Sequence, residues 1–171
     1  QALFELPGQL ARFDPTGTRI LTLSRNNRGA RLWDARTGQP VSVLDLPPDQ
    51  WAHNQVTQWT IWGMLRPRVD VPTFSPDGTR VVLPADDWEW PSARPAYIYE
   101  VSTGRRLAEL RADLGWNSCI AFRPDGQRIA TCHWSDPDGS SIRDAGIRLW
   151  DADSGSQLLQ LPVPSEDGYG I

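Results

Sequence analysis

Short apolar runs alternate with turn sequences along most of the chain. The alternation is most regular over residues 120–162, where four apolar runs are separated by turns rich in Pro, Asp, Ser and Gly. Four such runs predict four antiparallel strands joined by turns. The same order occurs twice upstream, and no window shows sustained helical periodicity. The hydrophobic pattern therefore predicts an all-β fold made of repeated four-stranded units.

The repeated units align on a Phe that precedes each first turn. Phe13, Phe74 and Phe122 are separated by 61 and 48 residues. A four-stranded unit of about 40–50 residues has the period of a β-propeller blade. The alignment assigns residues 1–7 to the last strand of a preceding blade, 8–46 to a first blade, 47–68 to a Trp-rich insertion, 69–111 to a second blade, 112–162 to a third blade and 163–171 to the lead-in to a next blade.

Three blades and one orphan N-terminal strand do not close a propeller, since closed rings hold about four to eight blades. Such a set leaves two apolar sheet faces open, and large exposed apolar faces promote association. We therefore expect an open or partial ring that belongs to a longer propeller. The alternative is a short array that closes by self-association.

Composition excludes several classes of partner. The 171 residues have a net charge of -4, so there is no overall basic field for nucleic acid or an anionic membrane surface. No apolar run approaches the roughly 18 residues of a membrane span, and the expected location is cytoplasmic. Cys119 and Cys132 lie on strands joined by one turn and could be near neighbours. Two Cys are too few for a disulfide framework, so we expect buried free thiols.

The repeat resembles that of the WD40 family. Two predicted third strands end in Trp-Asp, a Thr-Gly or Ser-Gly turn follows each third strand, and Phe-x-Pro-[Thr/Asp]-Gly forms each first turn. The residues that match the family's repeat pattern are Trp33-Asp34, Trp150-Asp151, Thr37-Gly38, Thr103-Gly104 and Ser154-Gly155. The resemblance covers nearly the whole chain outside residues 47–68. It implies the β-propeller fold and a scaffold role in protein–protein interaction.

The resemblance also implies a buried hydrogen-bond set in each blade, with a Ser or Thr on the second strand, an Asp in the next turn and a Trp on the third strand. The third unit matches with Thr131, Asp144 and Trp150. The first unit matches with Thr22, Asn27 and Trp33. The second unit has Leu83, Ala93 and Tyr99 and lacks the set, and no unit has the family's usual Gly-His pair. Asp34 and Asp151 directly follow the two Trp residues and are also predicted to have a structural role.

In WD40-like propellers, as the resemblance implies, the second-to-third and fourth-to-first connections share one face, called the top. The long connections of this chain belong to these two classes, and they are rich in Trp and Arg, which dominate interface hot spots. The candidate binding residues are Trp51, Trp59, Trp62, Arg66, Arg68, Trp88, Trp90, Trp116 and Trp134. The alternative interpretation is that these Trp residues cover blade edges and pack the loops themselves.

Two functions fit the sequence. The first is a non-catalytic scaffold that binds a protein or peptide through the top-face loops. The second is an accessory or regulatory propeller segment of a larger enzyme, such as a kinase- or ATPase-fused WD40 array. We expect no enzyme activity and no cofactor, because no catalytic constellation or phosphate loop is present. We also expect no metal site, since His53, His133, Cys132 and Asp136 have no established ligand spacing.

Overall fold

The computed structural model describes residues 4–8, 10–23, 30–44, 72–84, 95–111, 116–134 and 146–162. Within these ranges the chain forms strands and turns and no helix. The strands are β1 (Leu10–Phe13), β2 (Arg19–Leu23), β3 (Ala30–Asp34), β4 (Pro40–Val43), β5 (Thr73–Phe74), β6 (Arg80–Pro84), β7 (Ala96–Glu100), β8 (Arg106–Leu110), β9 (Trp116–Phe122), β10 (Arg128–Trp134), β11 (Gly146–Asp151) and β12 (Gln157–Pro162).

The strands form three four-stranded antiparallel sheets, each in sequential order. We name them blade 1 (β1–β4), blade 2 (β5–β8) and blade 3 (β9–β12). The predicted all-β class with blade-like sheets in an open arrangement is confirmed for the described residues. The predicted insertion at 47–68 and lead-in at 163–171 lie outside these residues. Residues 4–8, from the predicted orphan strand and the residue after it, are described and form no strand.

A tight reversal joins the first two strands of every blade. The backbone N–H of Gly17, Gly78 and Gly126 donates to the carbonyl three residues earlier, at 2.8–3.0 Å. Pro two residues before each Gly sets the turn's φ, and the Gly itself takes the positive φ that closes the turn. These residues therefore place β1, β5 and β9 at equivalent positions in the three blades.

The middle strands of each blade present two apolar faces, because successive strand residues point to opposite sides of the sheet. We define the leading face by the cross-strand pairs Ile20–Trp33, Val81–Tyr99 and Ile129–Trp150. We define the trailing face by the pairs Leu21–Leu32, Val82–Ile98 and Ala130–Leu149. Two-sided apolar strands of this kind require a packing partner on each face of the sheet.

The blades pack trailing face to leading face. Leu21 and Leu32 of blade 1 share a buried cluster with Val81 and Tyr99 of blade 2. The trailing face of blade 2 shares a second buried cluster with the leading face of blade 3. Full burial of one large apolar side chain contributes about 1.5–3 kcal/mol, so the two junctions hold the described structure together. Within the described residues, blade 2 alone has a blade on both faces.

The two cysteines form a disulfide, so the expectation of buried free thiols was wrong. Cys119 in β9 lies opposite Cys132 in β10 with a Cα–Cα distance of 5.1 Å, and the two sulfur atoms are bonded. That separation is within the range of disulfides. Cys119 is exposed and Cys132 is half-buried. The pair lies on the trailing face of blade 3, which no described blade covers.

Candidate functional site

Two blades carry the same buried hydrogen bond between their second and third strands. The indole Nε1–H of Trp33 donates to Thr22 Oγ1 at 2.8 Å, and that of Trp150 donates to Thr131 Oγ1 at 2.9 Å. All four residues are buried. A buried indole N–H needs an acceptor, and the Thr hydroxyl provides it without adding charge. The structure thus brings together the Thr and Trp that the WD40 resemblance pairs in blades 1 and 3.

The third member of the implied set, Asn27 in blade 1 and Asp144 in blade 3, lies outside the described residues. Blade 2 replaces the Thr–Trp pair with an apolar arrangement. Leu83 and Tyr99 occupy the Thr and Trp positions and are 1% and 0% exposed. Because blade 2 packs against a blade on both faces, apolar side chains at these positions are fully buried. Blade 2 thus has buried Leu83 and Tyr99 where blades 1 and 3 have the Thr–Trp pair.

Asp34 and Asp151, the Asp of each Trp-Asp pair, hold the turn after the third strand. Asp34 Oδ1 accepts the N–H of Thr37 at 2.7 Å, the Thr37 hydroxyl at 2.9 Å and the N–H of Arg36 at 3.0 Å. Asp151 accepts the equivalent N–H and hydroxyl of Ser154. Hydrogen bonds from the Thr37 backbone and side chain lower the pKa of Asp34, and those from Ser154 lower that of Asp151. These carboxylates shape turns, which is a structural role.

The first turn of every blade also contains an Asp whose carboxylate accepts hydrogen bonds within the turn, namely Asp14, Asp77 and Asp125. The Arg123 side chain is the main cause that lowers the pKa of Asp125 to about 2, and the Gln127 N–H adds to it. The Ser75 hydroxyl is the main cause that lowers the pKa of Asp77. Burial raises the pKa of Asp14, but hydrogen bonds led by the Thr16 hydroxyl outweigh it and lower the value overall. A carboxylate in these turns is thus stabilised in its charged form.

The lowered pKa values of these first-turn Asp residues predict that the free energy of unfolding falls at acid pH. An Asp whose folded-state pKa lies below its usual value of 3.8 stabilises the fold fully above that value. This contribution is lost as the pH falls toward the folded-state pKa, which is about 2 for Asp125. The urea midpoint should be nearly constant above about pH 5 and fall steadily below about pH 4. Replacing Asp14, Asp77 and Asp125 by Asn should flatten this slope. A wild-type midpoint that stays constant or rises between pH 4 and pH 2 would contradict the prediction.

Arg80 at the start of β6 joins blade 2 to blade 3. Its Nη1 donates to the carbonyl of Ala152 at 3.1 Å, its Nη2 donates to the carbonyl of Gly126 at 2.8 Å, and the guanidinium also pairs with Asp153. The Asp153 side chain is 84% exposed, so the carbonyl bonds carry most of the specificity of this contact. Arg80 therefore fixes the turns of blade 3 against the start of β6.

Sequence reasoning missed Arg80, although a signal was present. Arg19, Arg80 and Arg128 each stand two residues after the Gly of a first turn. An Arg that recurs at the same position of each blade, next to apolar strands, marks this position in the sequence, and the structure shows a contact between blades at Arg80. The composition pattern alone did not distinguish it from a solvated surface residue.

The strand directions bring the long connections to one end of the blades. In a sheet of sequential antiparallel strands, the second-to-third and fourth-to-first connections leave at the same end, and the tight turns leave at the other. The predicted binding residues Trp51, Trp59, Trp62, Arg66, Arg68, Trp88 and Trp90 belong to these connections and lie outside the described residues. Trp116 and Trp134 are register partners at the connection end of β9 and β10.

The described residues hold no group of three or more His, Cys, Asp or Glu that could bind a metal ion. His53 and Asp136, which the sequence analysis weighed as ligands, lie outside these residues. In the same part of the chain, no helix has the length and apolar character needed to cross a membrane.

Comparisons with known proteins support the fold and leave the function open. No protein-family model matches the sequence, and no curated protein matches it. Among solved structures, hydrazine synthase of Kuenenia stuttgartiensis superposes with a TM-score of 0.59 at 13% identity, over 90% of this chain and 36% of that chain. The crystal structure of a eukaryotic initiation factor superposes with a TM-score of 0.57 at 13% identity, over 95% of this chain and 34% of that chain.

The chain thus spans about a third of the length of both solved chains. At 13% identity these likenesses show the fold alone. They agree with an all-β, propeller-like arrangement of four-stranded sheets.

Proposed function

We propose that this chain is a non-catalytic WD40-type scaffold that binds a protein or peptide through its Trp-rich connections. One observation supports the proposal: the sheets pack through two apolar junctions, and in the described sheets the second-to-third and fourth-to-first connections depart from the same end of the blades. Loops held by a rigid scaffold are where proteins place binding function. The opposite end has short turns that offer little surface for a partner.

The WD40 assignment is supported by the two Thr–Trp hydrogen bonds and by the Asp turns that follow each Trp. These bonds are internal and leave no reactive group free, which fits a scaffold better than a catalytic centre. The partner we propose is a protein or peptide. Nucleic acid and membrane are not proposed as partners, because the net charge of the chain is -4.

The second candidate is an accessory or regulatory segment of a larger enzyme. It is favoured by the superposition on part of hydrazine synthase, an enzyme by its name, in which this chain matches 36% of the length. A kinase- or ATPase-fused WD40 array would have the same local structure. A nucleotide-binding or hydrolase motif in the same reading frame would favour this candidate, and further repeats alone would favour the scaffold.

We also propose what covers the open blade faces and where the protein is located. The open blade faces would be covered either by the remaining blades of a longer chain or by self-association. A cytoplasmic location is proposed from the sequence, and the Cys119–Cys132 disulfide counts against it, because such bonds are rare in reducing compartments.

The test is peptide selection followed by loop substitution. Peptides are selected from a phage-displayed library on the wild-type chain and then measured against the double variant Trp88→Ala/Trp90→Ala. If the two Trp residues are hot spots of about 2 kcal/mol each and their effects add, affinity should fall about 700-fold. Val41→Ala, at an exposed β4 position, is the control that should bind normally. Equal binding by the double variant, or its failure to fold, would favour the loop-packing interpretation.

A further inference from the structure

The trailing face of blade 3 is an exposed copy of a face that is buried elsewhere in the same molecule. Leu161 in β12 corresponds to Leu44 and Leu110, which follow or end the fourth strands of blades 1 and 2. Leu44 and Leu110 are 2% and 0% exposed, whereas Leu161 is 46% exposed. Ile147 and Leu159 share its face and are likewise exposed. The trailing face of blade 3 is therefore an exposed apolar surface. The equivalent faces of blades 1 and 2 are each covered by the next blade.

The leading face of blade 1 carries residues 4–8 and no described blade, and it is exposed at Phe13 although Ile20 and Trp33 are buried. Phe13 pairs with Ile20 on this face and corresponds to Phe74 in blade 2 and Phe122 in blade 3. Phe74 and Phe122 are half-buried against the two junction clusters, whereas Phe13 is 64% exposed. Phe13 is thus exposed at a position that the trailing face of a neighbouring blade half-buries in blades 2 and 3.

We propose that two copies of this chain bind head to tail, with the trailing face of blade 3 in one copy packed on the leading face of blade 1 in the other. The same trailing-to-leading junction occurs twice inside each chain, so the required complementarity is already present. Two such junctions would join six blades, a number within the range of closed propellers. This inference goes beyond the scaffold function, because it concerns the blade faces and not the top-face loops.

Residues 4–8 oppose this contact, because they occupy part of the leading face of blade 1. A Cβ built on Gly104 meets the Val43 carbonyl of the preceding blade, and one built on Gly155 meets Ala108. The equivalent Cβ on Gly38 meets the ring of Phe4. Phe4 therefore lies where the fourth strand of a preceding blade would lie. Docking of β12 must displace residues 4–8, which form no strand, so deleting residues 1–8 should strengthen the association.

Two charge substitutions test the junction from its two sides. Leu161→Asp places a carboxylate on the trailing face, and Phe13→Asp places one on the leading face. Both positions are exposed, so the chains should fold, which circular dichroism verifies. Leu107→Asp, at a 36% exposed position on the middle blade, is the matched control. Light scattering over a concentration series measures the mass of each chain and of an equal mixture of the two variants.

We expect the wild type and Leu107→Asp to reach twice the 19.2 kDa mass of one chain, and each end variant alone to remain at that mass. The mixture should again form a dimer, because each variant keeps the face that the other lacks, and it should be weaker than the wild type because one junction is lost. A wild type that stays monomeric at all concentrations overturns the proposal. So does a Phe13→Asp chain that dimerises normally, which would mean that two trailing faces pair with each other.

Discussion

Trp150→Ala is expected to lower the free energy of unfolding by about 3–5 kcal/mol, as large-to-small changes of buried aromatic residues do. Trp150 is 2% exposed and lies in the cluster that joins blade 2 to blade 3. Its removal opens a cavity on the leading face of blade 3. It also leaves the buried hydroxyl of Thr131 without its indole donor. Chemical denaturation monitored by circular dichroism measures the change.

Matched variants separate packing from hydrogen bonding. Trp150→Phe keeps most of the apolar contact and loses the donor, so it should cost less than Trp150→Ala. Thr131→Val leaves the indole N–H unsatisfied and should cost about 1–3 kcal/mol. Trp33→Ala removes the same hydrogen bond at a leading face that no described blade covers, and it should cost less than Trp150→Ala. Equal losses at Trp33 and Trp150 would show that the blade junction adds nothing, contrary to our interpretation.

Gly104→Ala is expected to destabilise the chain by more than about 3 kcal/mol, which is unusual for the addition of one methyl group. A Cβ at this position would lie 2.0 Å from the Val43 carbonyl oxygen and 2.8 Å from its carbon. Both atoms belong to the backbone, so the overlap is relieved only if the turn of blade 2 moves away from β4 of blade 1. The positive φ of 75° adds a separate cost. Thermal and urea unfolding measure the effect.

Gly17→Ala is the control for backbone strain. Gly17 has a φ of 69°, and nothing lies within 4 Å of a Cβ built on it. Alanine there pays the cost of the left-handed conformation alone, about 1–2 kcal/mol. The excess loss in Gly104→Ala over Gly17→Ala therefore reports the closeness of blades 1 and 2. Equal losses in the two variants would mean that blade 2 does not press on β4 as the structure has it.

The strands were predictable from sequence because a local signal repeats. Each Phe-x-Pro-x-Gly turn marks the end of a first strand, and the apolar runs that follow have strand length. The disulfide was within reach of the same reasoning. Counting outward from the turn at Gly126 pairs Phe122 with Ile129, and three further steps pair Cys119 with Cys132. The position of the two thiols on strands joined by one turn predicts that they are neighbours, and the register across that turn makes them direct partners.

Contacts between blades could not be predicted from such local sequence signals. Tyr99 and Trp150 have equivalent positions, and each is buried in a cluster that combines residues from two different sheets. Likewise, Gly104 and Gly17 both take a positive φ in a turn, and the steric difference between them comes from the Val43 carbonyl, which lies 61 residues away from Gly104. Such contacts depend on how whole sheets are stacked, which local patterns do not encode. The candidate binding loops are a compositional prediction that rests on Trp and Arg content.

The stability of the described fold resides in the two blade junctions. Amide hydrogen exchange followed by mass spectrometry tests this strand by strand, on the Leu161→Asp chain so that self-association does not protect the end blades. We predict the slowest exchange in β6 and β7, because blade 2 is packed on both faces, and faster exchange in the middle strands of blades 1 and 3. Exchange in blade 2 as fast as in both end blades would contradict the account.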